Sequence, residues 1–100
     1  MRKERDRLTT TIEREYLAAI IAGAKKNEYR GIKPYWTKRL KAISRPFELR
    51  LINGMNHPIP EVTVLIDKVR KDRATGRYAL HIKEVLEYKH WDKRREVPKR

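Results

Sequence analysis

Read from its N-terminus, the chain alternates between two periods of apolar residues. Leu8-Thr9-Thr10-Thr11-Ile12 is short and β-branched, which predicts a first strand. Over Glu13–Ala22 the spacing changes: Tyr16, Leu17, Ile20 and Ile21 fall on one side of a helix, with Glu13, Arg14 and Glu15 on the other. The preceding threonines are of the type that caps such a helix, and Gly23 suits the left-handed residue that ends one. Period two then resumes over Lys25–Arg30, with Lys26, Glu28 and Arg30 on one face and Asn27 and Tyr29 toward the other. Gly31 and Pro34 break that strand. A second helix is predicted over Tyr35–Ile43, with Trp36, Leu40 and Ile43 aligned and Pro34 ahead of it, where a missing N–H costs little. Ser44-Arg45-Pro46 stops it.

The second half reads as strands alone. Phe47-Glu48-Leu49-Arg50-Leu51-Ile52 alternates cleanly, placing Phe47, Leu49 and Leu51 toward a core. Asn53-Gly54 opens a turn that Pro58 and Pro60 extend into a loop. Glu61–Val69 is the most apolar strand, and Lys71–Gly76 a polar hairpin connection. Arg77–Tyr88 is the last long strand, with a break of pattern at Glu84-Val85-Leu86 that predicts a bulge. Residues 1–7 are expected to form an exposed basic arm. The tail from Lys89 to Arg100 is expected to be mobile in part, with residues 93–100 a basic extension. Between them, residues 8–92 make one α+β domain: a small mixed or antiparallel β-barrel with two short helices. Connections between the strands of residues 47–88 are too short for parallel crossovers.

Composition adds charge to this outline. The chain has 100 residues, 26 Lys and Arg against 13 Asp and Glu, and a net charge of +13. That length fits one domain with a modest core. With no cysteine there is no disulfide framework, thiol chemistry or cysteine metal site, and three separated histidines do not suggest a metal centre. No metal or other cofactor is expected. No apolar run approaches the length that spans a bilayer and no signal-like segment follows the basic N-terminus, so a cytoplasmic, monomeric protein without a membrane partner is the expectation. The excess positive charge points to polyanions, nucleic acid foremost. An acidic protein partner is the second candidate.

The charge is concentrated. Lys25, Lys26, Arg30, Lys33, Lys38, Arg39 and Lys41 fall between Gly23 and Lys41, and Glu28 is the single acid among them. Lys25 and Arg30 can hold phosphate, Arg through a two-point fork. Glu28 can accept from a base amine or fix the Arg30 guanidinium; the plainer role is an ion pair that closes the barrel. Tyr35, flanked by Lys33 and Lys38, is a stacking candidate, and Trp36 belongs more naturally to the core. Arg50, on the non-core face of its strand, and Lys93-Arg94-Arg95 are electrostatic candidates. His81 is expected at the rim of the last strand.

Gly23-x-Lys25-x-x-Glu28-x-Arg30, after an amphipathic helix and opening a strand, resembles the signature of the ASCH family (activating signal cointegrator homology). Tyr29-Arg30-Gly31-Ile32-Lys33-Pro34-Tyr35-Trp36 and Phe47–Met55 are similar to a bacterial and phage subgroup, and the resemblance covers residues 8 to 92. It implies a PUA-like barrel that binds RNA or a nucleotide beside the signature, with Lys25, Glu28 and Arg30 lining the cleft. To these the residue reading adds Lys33 and Tyr35 at the rim and Arg50 as a contributor of charge. Some members hydrolyse acetylcytidine and others are implied to cleave RNA. For such a reaction Lys25 and Glu28 are the candidate catalytic groups, but the amidohydrolases carry Thr where this chain has Glu28.

Overall fold

A computed structural model describes residues 5–99 of the chain. Five strands form one sheet in the order β1-β3-β4-β5-β2, where β1 is Arg7–Thr11, β2 Asn27–Gly31, β3 Phe47–Ile52, β4 Glu61–Asp72 and β5 Arg77–Lys89. Helix α1 (Arg14–Ile21) joins β1 to β2, and helix α2 (Pro34–Ala42) joins β2 to β3. The pair β1–β3 is parallel and the other three pairs are antiparallel, so the sheet is mixed. The long excursion through α1, β2 and α2 is what permits that parallel pair.

The sheet curls into a half-barrel. Its core is made by Phe47, Leu49 and Leu51 of β3, Val62, Val64 and Ile66 of β4, and Tyr78, Leu80 and Ile82 of β5, as the alternation predicts. Leu17, Ile20 and Ile21 of α1 cover it, and each such leucine or isoleucine, taken fully out of water, stabilises by about 2 kcal/mol. Ala79, out of phase with this set, is also buried. The register between β4 and β5 shifts at Thr63/Val64, Leu65/Ile66 and Ile66/Lys68. The first shift leaves Leu86 unpaired between Val85 and Glu87, inside the segment where the pattern breaks. Such bulges increase local twist and bend the strand, which suits a sheet that curls.

The ends of the helices differ from expectation in one respect. Thr9, Thr10 and Thr11 remain in or beside the ladder of β1, so Glu13 is the N-cap residue of α1 and no side chain caps it. Gly23 does follow the helix at φ +81°, its N–H donating to the Ile20 carbonyl at 3.0 Å. Pro34 opens α2, whose Trp36 and Leu40 pack on the core and whose Thr37 hydroxyl lies 2.6 Å from the Tyr78 hydroxyl.

Toward both ends the described residues pair with the rest of the fold or with each other. Residues 1–4 of the expected arm lie outside the described residues, but Arg7 is already in β1 and the Asp6 carbonyl accepts from the Glu48 N–H at 2.8 Å. The tail doubles back: β6 (Trp91–Asp92) pairs with β7 (Val97–Pro98). Asp92 closes the turn through its Oδ1, which accepts from the Arg95 N–H at 3.1 Å, and Trp91 is buried in the main core. Trp91, within the domain expected over residues 8–92, anchors the start of this segment. Among the described residues no helix is long and apolar enough to cross a membrane.

Candidate functional site

The two edges of the curled sheet, β1 and β2, approach each other beside the start of α1. Arg30 of β2 reaches across, its Nη2 donating to the Thr11 carbonyl of β1 at 2.9 Å. The neighbouring Ile12 carbonyl is held from the other side by the Asn53 side-chain amide at 2.8 Å. The turn residue Asn53 therefore does a second job, fixing the end of β1 against which Arg30 seats. At this seam lies a cleft of about 670 Å³, lined on β1 and α1 by Thr11, Ile12, Glu13 and Tyr16 and across it by Lys25, Glu28, Tyr29, Arg30 and Arg77.

Glu28 is the centre of the cleft's charge. Only 4% of it is exposed, because period two turns it to the concave side opposite Leu80. A carboxylate taken that far from water needs partners. Arg30 Nη2 donates to Glu28 Oε2 at 2.5 Å, and Lys25 Nζ stands 3.5 Å from Oε1. The Arg30 contact uses one nitrogen of the guanidinium, the same one that serves Thr11, so the fork is not closed on the carboxylate. Its Nε is buried without a hydrogen-bond partner among the described residues. Trp36 backs the guanidinium, its ring centre 5.4 Å away. Lys25 is held between two rings, 5.1 Å from that of Tyr16 and 5.0 Å from that of Tyr29, within the range of cation–π attraction.

Of the six residues expected at the site, Lys25, Glu28 and Arg30 line this cleft together. Lys33 and Tyr35 do not. Lys33 is the N-cap residue of α2. Tyr35 is half exposed on that helix, edge-on to Trp36 and covered by the Arg39 guanidinium 3.6 Å from its ring centre. Arg50 belongs elsewhere: it points to the convex face, where Nε and Nη2 both engage the buried Glu61 at 2.9 and 2.8 Å. The Arg50 hydrogen bonds hold the Glu61 carboxyl below the usual glutamate range, against the opposing effect of burial. Arg50 is thus a partner of Glu61 and not part of the cleft.

Of the six lining residues that the sequence reading did not assign to the site, Arg77, Tyr16 and Tyr29 add a cation and two rings. Arg77 arrives because it faces Gly31 across the β2–β5 ladder, and its guanidinium stacks on Tyr29 at 4.2 Å. Tyr16 lies on the exposed side of α1 though its spacing put it with the core. Tyr29 was visible within the signature itself, as an aromatic between Glu28 and Arg30. His81, expected at a rim, is hydrogen-bonded through Nδ1 to Asp67 at 2.7 Å, and that bond lowers the Asp67 carboxyl from its ordinary range.

No protein family, curated protein or solved structure matches the chain.

Proposed function

We propose that the chain is an RNA- or nucleotide-binding module of the ASCH, PUA-like type, taking its ligand in the cleft between β1, α1 and β2. The observation that carries this reading is the Lys25–Glu28–Arg30 arrangement: a buried carboxylate that orients two cations while leaving the Arg30 fork incompletely used. The cleft volume falls within the range of small-molecule sites. Lys25, Arg30 and Arg77 suit a phosphate, and the rings of Tyr16 and Tyr29 suit a base. Glu28, fixed from both sides, keeps the cations in place and can accept from an exocyclic amine.

The hydrolase alternative uses Lys25 and Glu28 as its reacting groups. Both Glu28 oxygens already face cations, an arrangement that favours holding a ligand over moving a proton. One experiment addresses both readings. The protein is titrated with the four ribonucleoside monophosphates and with a short single-stranded RNA over a salt series. Binding that weakens with salt and falls at least tenfold in Arg30→Met supports the cleft. Absence of binding at low salt, or an unchanged affinity in Arg30→Met, overturns it. Breakdown of the RNA in the same samples, or of acetylcytidine in a parallel incubation, lost in Lys25→Ala, would establish the enzyme instead.

A further inference from the structure

The two helices both lie on the concave side of the sheet: α1 packs on the core, and α2 meets Arg30 through Trp36 and Tyr78 through Thr37. The convex side of β2, β5 and β4 carries neither. Register defines what it presents. Asn27, His81 and Lys68 form one row across the three strands; Tyr29, Ala79 and Arg70 form the next; Gly31, Arg77 and Asp72 form the third. Residues directly opposite in a ladder share a face, so these side chains make one surface, with Glu28, Leu80 and Val69 beneath it.

That surface is basic and carries an aromatic. Lys68, Arg70 and Arg77 are exposed, and among the described residues none of them pairs with a carboxylate. The two acids nearby take their hydrogen bonds elsewhere, although the charge of Lys68 acts on Asp67 and that of Arg70 on Asp72. Asp67 is hydrogen-bonded to His81, and Asp72 folds into the β4–β5 turn, accepting from the Ala74 and Thr75 N–H groups at 3.1 and 3.3 Å. Tyr29 is 39% exposed with Arg77 stacked on it, and Ala79 beside it is buried. Arg70 stands two strands away from Tyr29, about 10 Å at the usual strand spacing. Tyr29 and Arg77 also line the cleft, so the surface and the cleft meet at the β2 edge.

We propose that this convex face is a track for single-stranded nucleic acid, which passes from the cleft over Tyr29 and Arg77 and is held through its phosphates by Arg70 and Lys68. Ring and guanidinium planes stack bases of any sequence, and exposed lysine and arginine not held in a direct ion pair can turn to phosphate. A duplex cannot offer unstacked bases to Tyr29, which favours the single strand over other polyanions. The inference rests on the nucleotide reading of the cleft only for where the strand ends.

The test uses the double variant Lys68→Glu, Arg70→Glu, whose positions are exposed and remote from the cleft, with its thermal melting checked against the parent chain. Probes are the ribonucleoside monophosphates, a single-stranded RNA of about eight nucleotides, a length within the site sizes of single-strand binders, and the matching duplex. The parent chain is expected to bind the single strand more tightly than any monophosphate. In the variant the single strand should bind at least tenfold more weakly, and its log–log salt slope should fall by about 1.4, at about 0.7 per lost phosphate contact. Monophosphate binding should not change. Unaltered affinity and slope in the variant overturn the track and leave the cleft standing. A single strand that binds and responds to the variant while no monophosphate binds supports the track and removes the cleft. A duplex bound as well as the single strand, or no binding of either by the parent chain at low salt, overturns the track.

Discussion

Two buried glutamates, each beside an arginine, sit in different parts of the same sheet. Glu61 is 6% exposed and Glu28 4%, so burial does not separate them. Saturation does. Arg50 lays its fork on Glu61, nitrogen to oxygen at both positions, which is the strongest geometry such a pair can adopt. Arg30 meets Glu28 through one nitrogen, spends the same nitrogen on the Thr11 carbonyl and leaves Nε unpartnered. Surroundings follow the same division. Beside Glu61, on the convex face of β1 and β3, the glutamates meet arginines, Arg5 and Arg7 both reaching Glu48. Beside Glu28 a cleft opens and Lys25 is held between two tyrosines. Identical residue types thus make a closed structural pair in one place and a charged site with unused donors in the other.

The largest effect should come from breaking the closed pair. Arg50→Met strands the Glu61 carboxylate in a buried position, and such an uncompensated charge costs about 3 kcal/mol. Urea unfolding should show that loss, while nucleotide binding per folded molecule stays as in the parent chain. A variant as stable as its parent would mean that the Arg50–Glu61 fork is incidental. Arg30→Met should be milder in stability, about 2 kcal/mol, because Lys25 still faces Glu28. Its mark is on binding, at least tenfold weaker. Arg30→Lys sharpens the contrast: it restores the charge without the planar fork, so isothermal titration should recover the affinity only in part. Full recovery would indicate that the cleft uses a point charge and not the guanidinium geometry.

Much of this contrast was legible before the fold. Period two put Glu28 and Arg30 on one face, and the alternation of Phe47, Leu49 and Leu51 put Arg50 on the other side of its strand. The strand order was not legible, since nothing local tells β1 to lie parallel to β3 or brings β2 to the far edge. Arg77 joins the cleft only through its place opposite Gly31 in that ladder, and Glu61 becomes a partner of Arg50 only through the β3–β4 register. Tyr35 and Lys33 were read into the site from closeness in sequence, but Pro34 starts a helix between Gly31 and Tyr35 that turns them away from the cleft lining. The pairing of β6 with β7 was not legible, because a two-residue ladder whose turn is closed by Asp92 carries no hydrophobic period.

The smallest expected effect is one of pH, and it bears on the paired glutamates of the convex face. Glu61 is held below the ordinary glutamate value of 4.5, first by its hydrogen bonds from Arg50. Glu48 is likewise lowered, first by its hydrogen bond from Arg7. A carboxyl with a depressed folded-state pKa binds its proton more readily in the unfolded chain. Its contribution to stability is therefore complete above the unfolded value and disappears as the pH falls through the folded one. Glu61→Gln removes that group, so the variant should be less stable than its parent near neutrality. The gap should narrow on going below pH 4.5, as the parent loses the contribution that the variant never had. Glu48→Gln should show the same narrowing on a smaller gap, because Arg5 and Arg7 reach it from a wetter rim, where ion pairs are screened. Urea midpoints across the acid range measure both. A gap between parent and Glu61→Gln that stays constant with pH would mean that Arg50 and Glu61 are not paired as charges, and the distinction between the two arginine–glutamate pairs would then rest on the cleft alone.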